Sequence, residues 1–180
     1  MVNGNNMLIA RGHVDLDNDA INARSYKFIS EHSFNELDNE LKILNGKLSS
    51  VIMQMYLRKN KLTHLMPHNW EELEPLITAI QNQANGGEVK SSWFNILPLN
   101  TKIDDHSHVN SKTNHGAKYA AFVYYSQWPE GATPIELLID NEWVPIPAQA
   151  GDWICFDLEC RHRVPLNMSD QPRISFAFNI

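Results

Sequence analysis

The chain has 180 residues, 43% hydrophobic and 20% charged, the make-up of a soluble globular protein and most simply of one domain. Its formal net charge of −6 argues against a general affinity for nucleic acid or anionic membranes, and no apolar run approaches the roughly 20 residues that cross a bilayer as a helix. The two cysteines, Cys155 and Cys160, make no disulfide framework, and "MVNGNNMLIARGHVDLDNDA" lacks the basic start and apolar core of a secretion signal, so an intracellular, cytoplasmic location is expected.

Residues 1–32 are polar and mixed and predict little beyond a strand at Met7–Arg11. From Ser33 the pattern is helical. Ser33 and Glu36 match a capping box, and Phe34, Leu37, Leu41, Leu44, Leu48, Val51 and Met55 recur at helical spacing, interrupted by Gly46. A second helix is predicted from Asn69, again with an acid three residues on, Glu72. Leu73, Leu76, Ile77 and Ile80 form its apolar stripe, and Asn85-Gly86-Gly87 ends it. Both stripes read as packing faces. After Gly87 the pattern turns to β: "SWFNIL", "YAAFVYY", "IELLI", "DWICF" and "RISFAFNI" are separated by turns rich in Pro, Gly and Asn. The expected architecture is α+β, a mainly helical lead-in over 1–92 packed on an antiparallel sandwich or barrel over 93–180.

Within the β region, "DDHSHVNS" sets His106 and His108 one residue apart. If the strand continues through them, both point to one face and can meet at a metal; on a polar loop they are simply solvated. A third histidine, His162, follows the turn at Gly151 and the strand "DWICF". It either reaches across a small barrel to that pair or belongs to a basic surface patch with Arg161 and Arg163. In "RISFAFNI", Arg173, Ser175, Ala177 and Asn179 share one face and Ile174, Phe176 and Phe178 the other. If the aromatic side packs on helices, Arg173 points into the barrel, where a buried guanidinium needs an anionic partner. That partner is either a bound dicarboxylate, with Ser175 adding a hydroxyl, or an internal carboxylate such as Asp152 or Asp157.

Taken together, "SWFNILPLNTKIDDHSH", "YAAFVYYSQWPEG" and "PIPAQAGDWICFDLECRHRVPLNMSDQPRISFAFNI" resemble the 2-oxoglutarate- and iron(II)-dependent oxygenases of the double-stranded β-helix, or jelly-roll, fold. They are most similar to a subgroup whose pattern runs Trp-x-Asn, His-x-His, Tyr-Tyr-x-x-x-Pro-x-Gly, Gly-Asp, His-x-Val-Pro and Arg-Ile-Ser-x-x-Phe-Asn. The resemblance covers roughly residues 93–180. It implies N-terminal helices packed on a jelly-roll core. It implies that His106 and His162 are metal ligands, that Arg173 pairs with the distal carboxylate of 2-oxoglutarate, and that Ser175 assists. His108 stands where most of the superfamily carries Asp or Glu. It is therefore the expected second ligand, with Asp104 and Asp105 as the alternatives. The loop "VNSKTNHG", which carries His115, is longer than the subgroup's.

The activity so implied is that of an iron(II) dioxygenase with 2-oxoglutarate as cosubstrate, O2 as co-reactant and a substrate that the sequence does not name. Two other readings stand beside it. One is a cupin-like metal enzyme that does not use 2-oxoglutarate, for which three histidines would also suit zinc. The cupin pattern, however, places a glutamate shortly after His-x-His, and "HSHVNSK" has none. The other is a non-catalytic β-sandwich that binds metal or ligand structurally.

Overall fold

The computed structural model describes residues 8–32, 50–109, 117 and 120–180. The capping box at Ser33 and Glu36, most of the first predicted helix and the loop histidine His115 lie outside the described residues. Strand β1 (Leu8–His13) is followed by α1 (Asn18–Glu31), α2 (Ser50–Lys59) and α3 (Glu74–Gln83). Eight strands come next: β2 (Ser91–Leu97), β3 (Ile103–His106), β4 (Ala120–Gln127), β5 (Ile135–Ile139), β6 (Glu142–Ile146), β7 (Asp152–Asp157), β8 (His162–Val164) and β9 (Arg173–Asn179). They form two antiparallel sheets, a larger one in the order β1-β7-β4-β9-β2 and a smaller one in the order β3-β8-β5-β6. This is the α+β jelly roll that the resemblance implies. Among the described residues no helix is long and apolar enough to cross a membrane.

Strands β4 and β7 carry two apolar faces, whereas the inner face of β9 carries Arg173 and Ser175. Phe94, Phe122, Trp153, Phe176 and Phe178 turn to the helices, where they meet Ile21, Phe28, Leu57, Trp70, Leu76 and Ile80. On the opposite face Leu97, Ala121, Val123, Tyr125, Ile154 and Phe156 meet Ile135, Leu137, Ile146 and Val164 of the smaller sheet. β4 and β7 therefore read as near-continuous apolar runs rather than alternating ones, because both their faces are covered.

Several elements depart from the predicted ones. Helix α1 occupies residues expected to hold no helix. Asp17 caps it by accepting from the Ala20 N–H at 3.0 Å, and its buried face is Ile21, Asn22, Ser25 and Phe28. The two polar members pair locally or with β4: the Ser126 hydroxyl donates to Asn22 Oδ1 at 2.5 Å, and Ser25 donates back to the Ile21 carbonyl. Helix α3 starts at Glu74, not at Asn69. Two 3-10 turns, Pro67–Asn69 and Glu71–Leu73, flank an extended Trp70 ahead of it. Pro75 enforces this start, since proline has no N–H to give and fits only the first turn of a helix. The exit is as predicted: Asn85 and Gly86 have positive φ, and Gly86 donates to the Gln81 carbonyl at 2.7 Å.

A hairpin adds β6, which was not among the predicted strands. Its turn, Asp140-Asn141, has φ of 50° and 66°, the paired positive values of a type I′ turn. Pro145 is tolerated there because β6 is an edge strand. β1 also pairs along β7, from Leu8 opposite Phe156 to His13 opposite Asp152, so part of the N-terminal region is built into the larger sheet.

Candidate functional site

The predicted ligand histidines come from three pieces of backbone. His106 is the last residue of β3 and lies directly opposite His162, the first residue of β8. A bulge precedes it: Ile103 opposes Val164, so three steps on β3 match two on β8. Without the extra residue, Ile103 and His106 would face opposite ways; with it, both line the interior. Asp104 turns outward, its side chain 83% exposed and paired with Lys102 at 2.9 Å. Asp105 pairs with Arg161.

His108 corrects the expectation of a strand running through both histidines, because β3 ends at His106. Its backbone N–H instead donates to the Leu158 carbonyl at 2.9 Å, and this turn brings its ring back to the others. Ring centroids lie 5.5 Å apart for His106 and His108, 4.2 Å for His106 and His162, and 4.9 Å for His108 and His162. One ring nitrogen from each falls within 4.8 Å of the other two.

Each histidine has its Nδ1 placed against an oxygen: the Asp104 carbonyl at 2.7 Å for His106, Asn179 Oδ1 at 2.8 Å for His108, and the Cys160 carbonyl at 3.0 Å for His162. Carbonyl oxygens only accept, so Nδ1 carries the proton and each Nε2 keeps its lone pair. Metal-binding histidines are held in this way, and the donor set therefore fits a divalent transition metal. Burial reinforces the neutral state. It pushes His108 down to about 4, the neighbouring His106 adding to the effect and the Asn179 hydrogen bond opposing it. Burial also holds His162 well below the usual imidazole range, with His106 and His108 contributing in the same direction. The surface-patch alternative fails for His162, which is buried, while Arg161 and Arg163 turn outward to Asp105 and Glu136.

The histidines line a cavity of about 50 Å3 between the sheets, with Trp93, Asn95, Val123, Arg173, Ser175 and Ala177 on the larger-sheet side. Arg173 is 1% exposed. Its Nε and Nη1 have no hydrogen-bond partner, and neither does the Tyr125 hydroxyl beside it. The internal ion pair considered for it is not formed: Asp152 pairs with His13 at 2.8 Å, and Asp157 accepts from the Glu159 N–H. Instead the guanidinium lies over the rings of Tyr125 and Trp128, 5.0 and 5.4 Å from their centroids. Burial lowers the pKa of Arg173 and raises that of the Tyr125 phenol. A carboxylate would relieve both unpaired nitrogens at once.

Alternation along β9 makes the space. Arg173, the small Ser175 and Ala177 line it in turn, and Asn179 beyond them holds His108. Six residues of strand span about 20 Å at roughly 3.3 Å each, which the long arginine side chain and the histidine rings shorten to the cavity observed. Sequence reasoning placed Asn179 on this inward face but missed its bond to His108. It missed Asn95 and Tyr125 as well, which flank Ser175 on the neighbouring strands.

No family model matches the sequence, and no curated protein matches it. Solved structures do match in fold. A prolyl-4-hydroxylase from Pseudomonas putida gives a TM-score of 0.50 at 13% identity, over 94% of this chain and 86% of that one. An oxidoreductase of the 2OG-Fe(II) oxygenase family from Burkholderia pseudomallei gives 0.50 at 10% identity, over 83% and 91%. The α-ketoglutarate-dependent carbocyclase SnoK of nogalamycin biosynthesis gives 0.50 at 13%, over 73% and 75%. The chain thus has the jelly-roll fold of the 2-oxoglutarate- and iron(II)-dependent oxygenases, with three histidines and an unpaired buried arginine in the cavity between its sheets.

Proposed function

We propose that this chain is an iron(II)- and 2-oxoglutarate-dependent dioxygenase that hydroxylates a substrate. The observation that carries the reading is Arg173, a buried cation with two unpartnered nitrogens, lining the same cavity as three histidines with lone pairs to spare. An isolated buried charge is costly, and here the fold sets one opposite a ready-made metal-ligand set.

His106, His108 and His162 would hold the iron, and Arg173 with Ser175 would hold the distal carboxylate of 2-oxoglutarate. Iron(II) with O2 oxidises 2-oxoglutarate to succinate and carbon dioxide, one oxygen atom entering succinate and the other a C–H bond of the substrate. The protein contributes placement and a dry wall. Tyr125 and Trp128 lie under the guanidinium, and Ile103, Val123, Ile135 and Val164 form the apolar part of the wall. The fold neighbours include a hydroxylase and a carbocyclase, so fold alone does not assign the substrate.

The test is anaerobic titration of 2-oxoglutarate into Fe(II)-loaded protein, followed by the visible charge-transfer band of the chelate. Arg173→Ala should retain its metal and lose cosubstrate affinity by roughly 100-fold or more, since it removes one partner of a buried charge pair. Arg173→Lys should lose less, keeping the charge without the two-pronged fit. His162→Ala should lose the metal itself. Affinity for 2-oxoglutarate unchanged in Arg173→Ala would leave the arginine a structural residue, and full metal content in His162→Ala would remove the proposed centre.

A further inference from the structure

The cavity is one negative charge short. Metal-bound imidazole is neutral, so three histidines leave a divalent ion with both its charges, and Arg173 adds a third. Bound 2-oxoglutarate, a dianion, cancels two. In the usual two-histidine, one-carboxylate site the protein carboxylate cancels the last; here His108 stands in its place. Among the described residues no Asp or Glu lines the cavity. The nearest in sequence are committed elsewhere, Asp104 to Lys102, Asp105 to Arg161, and Glu136 to Arg163 at 2.6 Å. A net charge left in a largely buried space costs far more than one at the surface.

A second observation points the same way. Asn95 is 7% exposed and lines the cavity beside Ser175; its backbone is paired with β9, and its side chain makes no hydrogen bond to any described residue. Its amide therefore borders the cavity, where a ligand can meet it. Its NH2 group can donate two hydrogen bonds, which suits an anion.

We propose, building on the dioxygenase reading, that this site takes an anionic substrate, whose charged group enters the cavity beside the metal and receives hydrogen bonds from Asn95. The histidine at position 108 makes room for that charge electrically: the substrate brings the carboxylate that the protein omits.

Formate and its neutral isostere formamide serve as probes. Protein loaded with Fe(II) and 2-oxoglutarate, without O2, is titrated with each while the charge-transfer band is followed. Formate should bind at least tenfold tighter than formamide in the wild type. His108→Asp restores a carboxylate and should cut that preference at least tenfold. Asn95→Ala should keep the 2-oxoglutarate band and weaken formate about tenfold, and it decides the matter if His108→Asp fails to hold metal. Equal binding of formate and formamide by the wild type overturns the proposal and leaves the dioxygenase reading intact, as does an undiminished preference in a metal-loaded His108→Asp. Formate affinity unchanged in Asn95→Ala, or loss of 2-oxoglutarate instead, overturns the role given to Asn95. If 2-oxoglutarate produces no band at all, the dioxygenase reading falls and the anionic-substrate proposal falls with it.

Discussion

Asn179 faces inward from β9 and accepts the Nδ1–H of His108 at 2.8 Å. It is buried, so nothing in the solvent replaces it. In Asn179→Ala the His108 ring loses both its orientation and its tautomer, and metal affinity should fall by about 10- to 100-fold, the usual effect of losing such a partner. Competition with a chromophoric chelator measures this. Two positions along, Ala177 keeps the middle of the cavity open. Ala177→Leu puts a larger side chain into a space of about 50 Å3. It should abolish 2-oxoglutarate binding while the metal stays, and the cost in stability from overpacking should be about 1–3 kcal/mol. Calorimetric titration separates the two effects; a variant that still binds 2-oxoglutarate as well as wild type would place the cosubstrate elsewhere.

At the level of elements, legibility followed the strength of the local signal. Strands covered on both faces are near-continuous apolar runs, and all five predicted from such runs are present. The exit of α3 was equally plain in Asn85-Gly86-Gly87. Its start was not, although Pro75 forbade a continuous helix from Asn69. Helix α1 stayed hidden because half its buried face is Asn22 and Ser25, whose value depends on partners that no local pattern reveals. The meeting of β1 and β7 gives a testable pH effect. Protonated His13 donates from Nδ1 to Asp152 at 2.8 Å and from Nε2 to Asp15 at 3.0 Å, and its pKa is raised, chiefly by the hydrogen bond to Asp152 and then by that to Asp15. Gly151, at φ +92, lies so close that an added Cβ would meet the imidazole at 2.5 Å. A raised folded pKa means the contribution is complete below the unfolded value of 6.5 and is lost as pH rises through the higher folded value. The melting-temperature gap between wild type and His13→Ala should therefore be widest below about pH 6 and narrow on the alkaline side of neutrality. A gap independent of pH would show that the pair does not titrate in folding.

For the molecule as a whole, the sequence pattern located the ends of the site better than its middle. The alternation of "RISFAFN" and the resemblance around His162 were enough to expect a cation and a histidine on one inner face. What turns His108 inward and Asp104 outward is the bulge in β3 and the turn that follows, set by pairing with β8 and by the Leu158 carbonyl. Neither leaves a mark in the residues themselves, since Asp104, Asp105, His106 and His108 could each have faced inward in a different register.

β9 lies between β4 and β2, and β2 pairs with no other strand of its sheet. Its partners are distant in sequence: Asn179 is opposite Ser91 on one side and Ala121 on the other. Contacts of such long range form slowly, because the loops between them must close first. Until β9 is seated, Arg173 and Ser175 face no cavity and a dicarboxylate has nothing to grip. On the proposed reading, 2-oxoglutarate can therefore act only on a chain whose last strand is already in place. In denaturant-jump experiments on metal-loaded protein, saturating 2-oxoglutarate should slow unfolding and leave the refolding rate unchanged. Faster refolding with the cosubstrate would mean that β9 and its arginine are seated before the rate-limiting barrier. The site would then help to nucleate the fold that holds it.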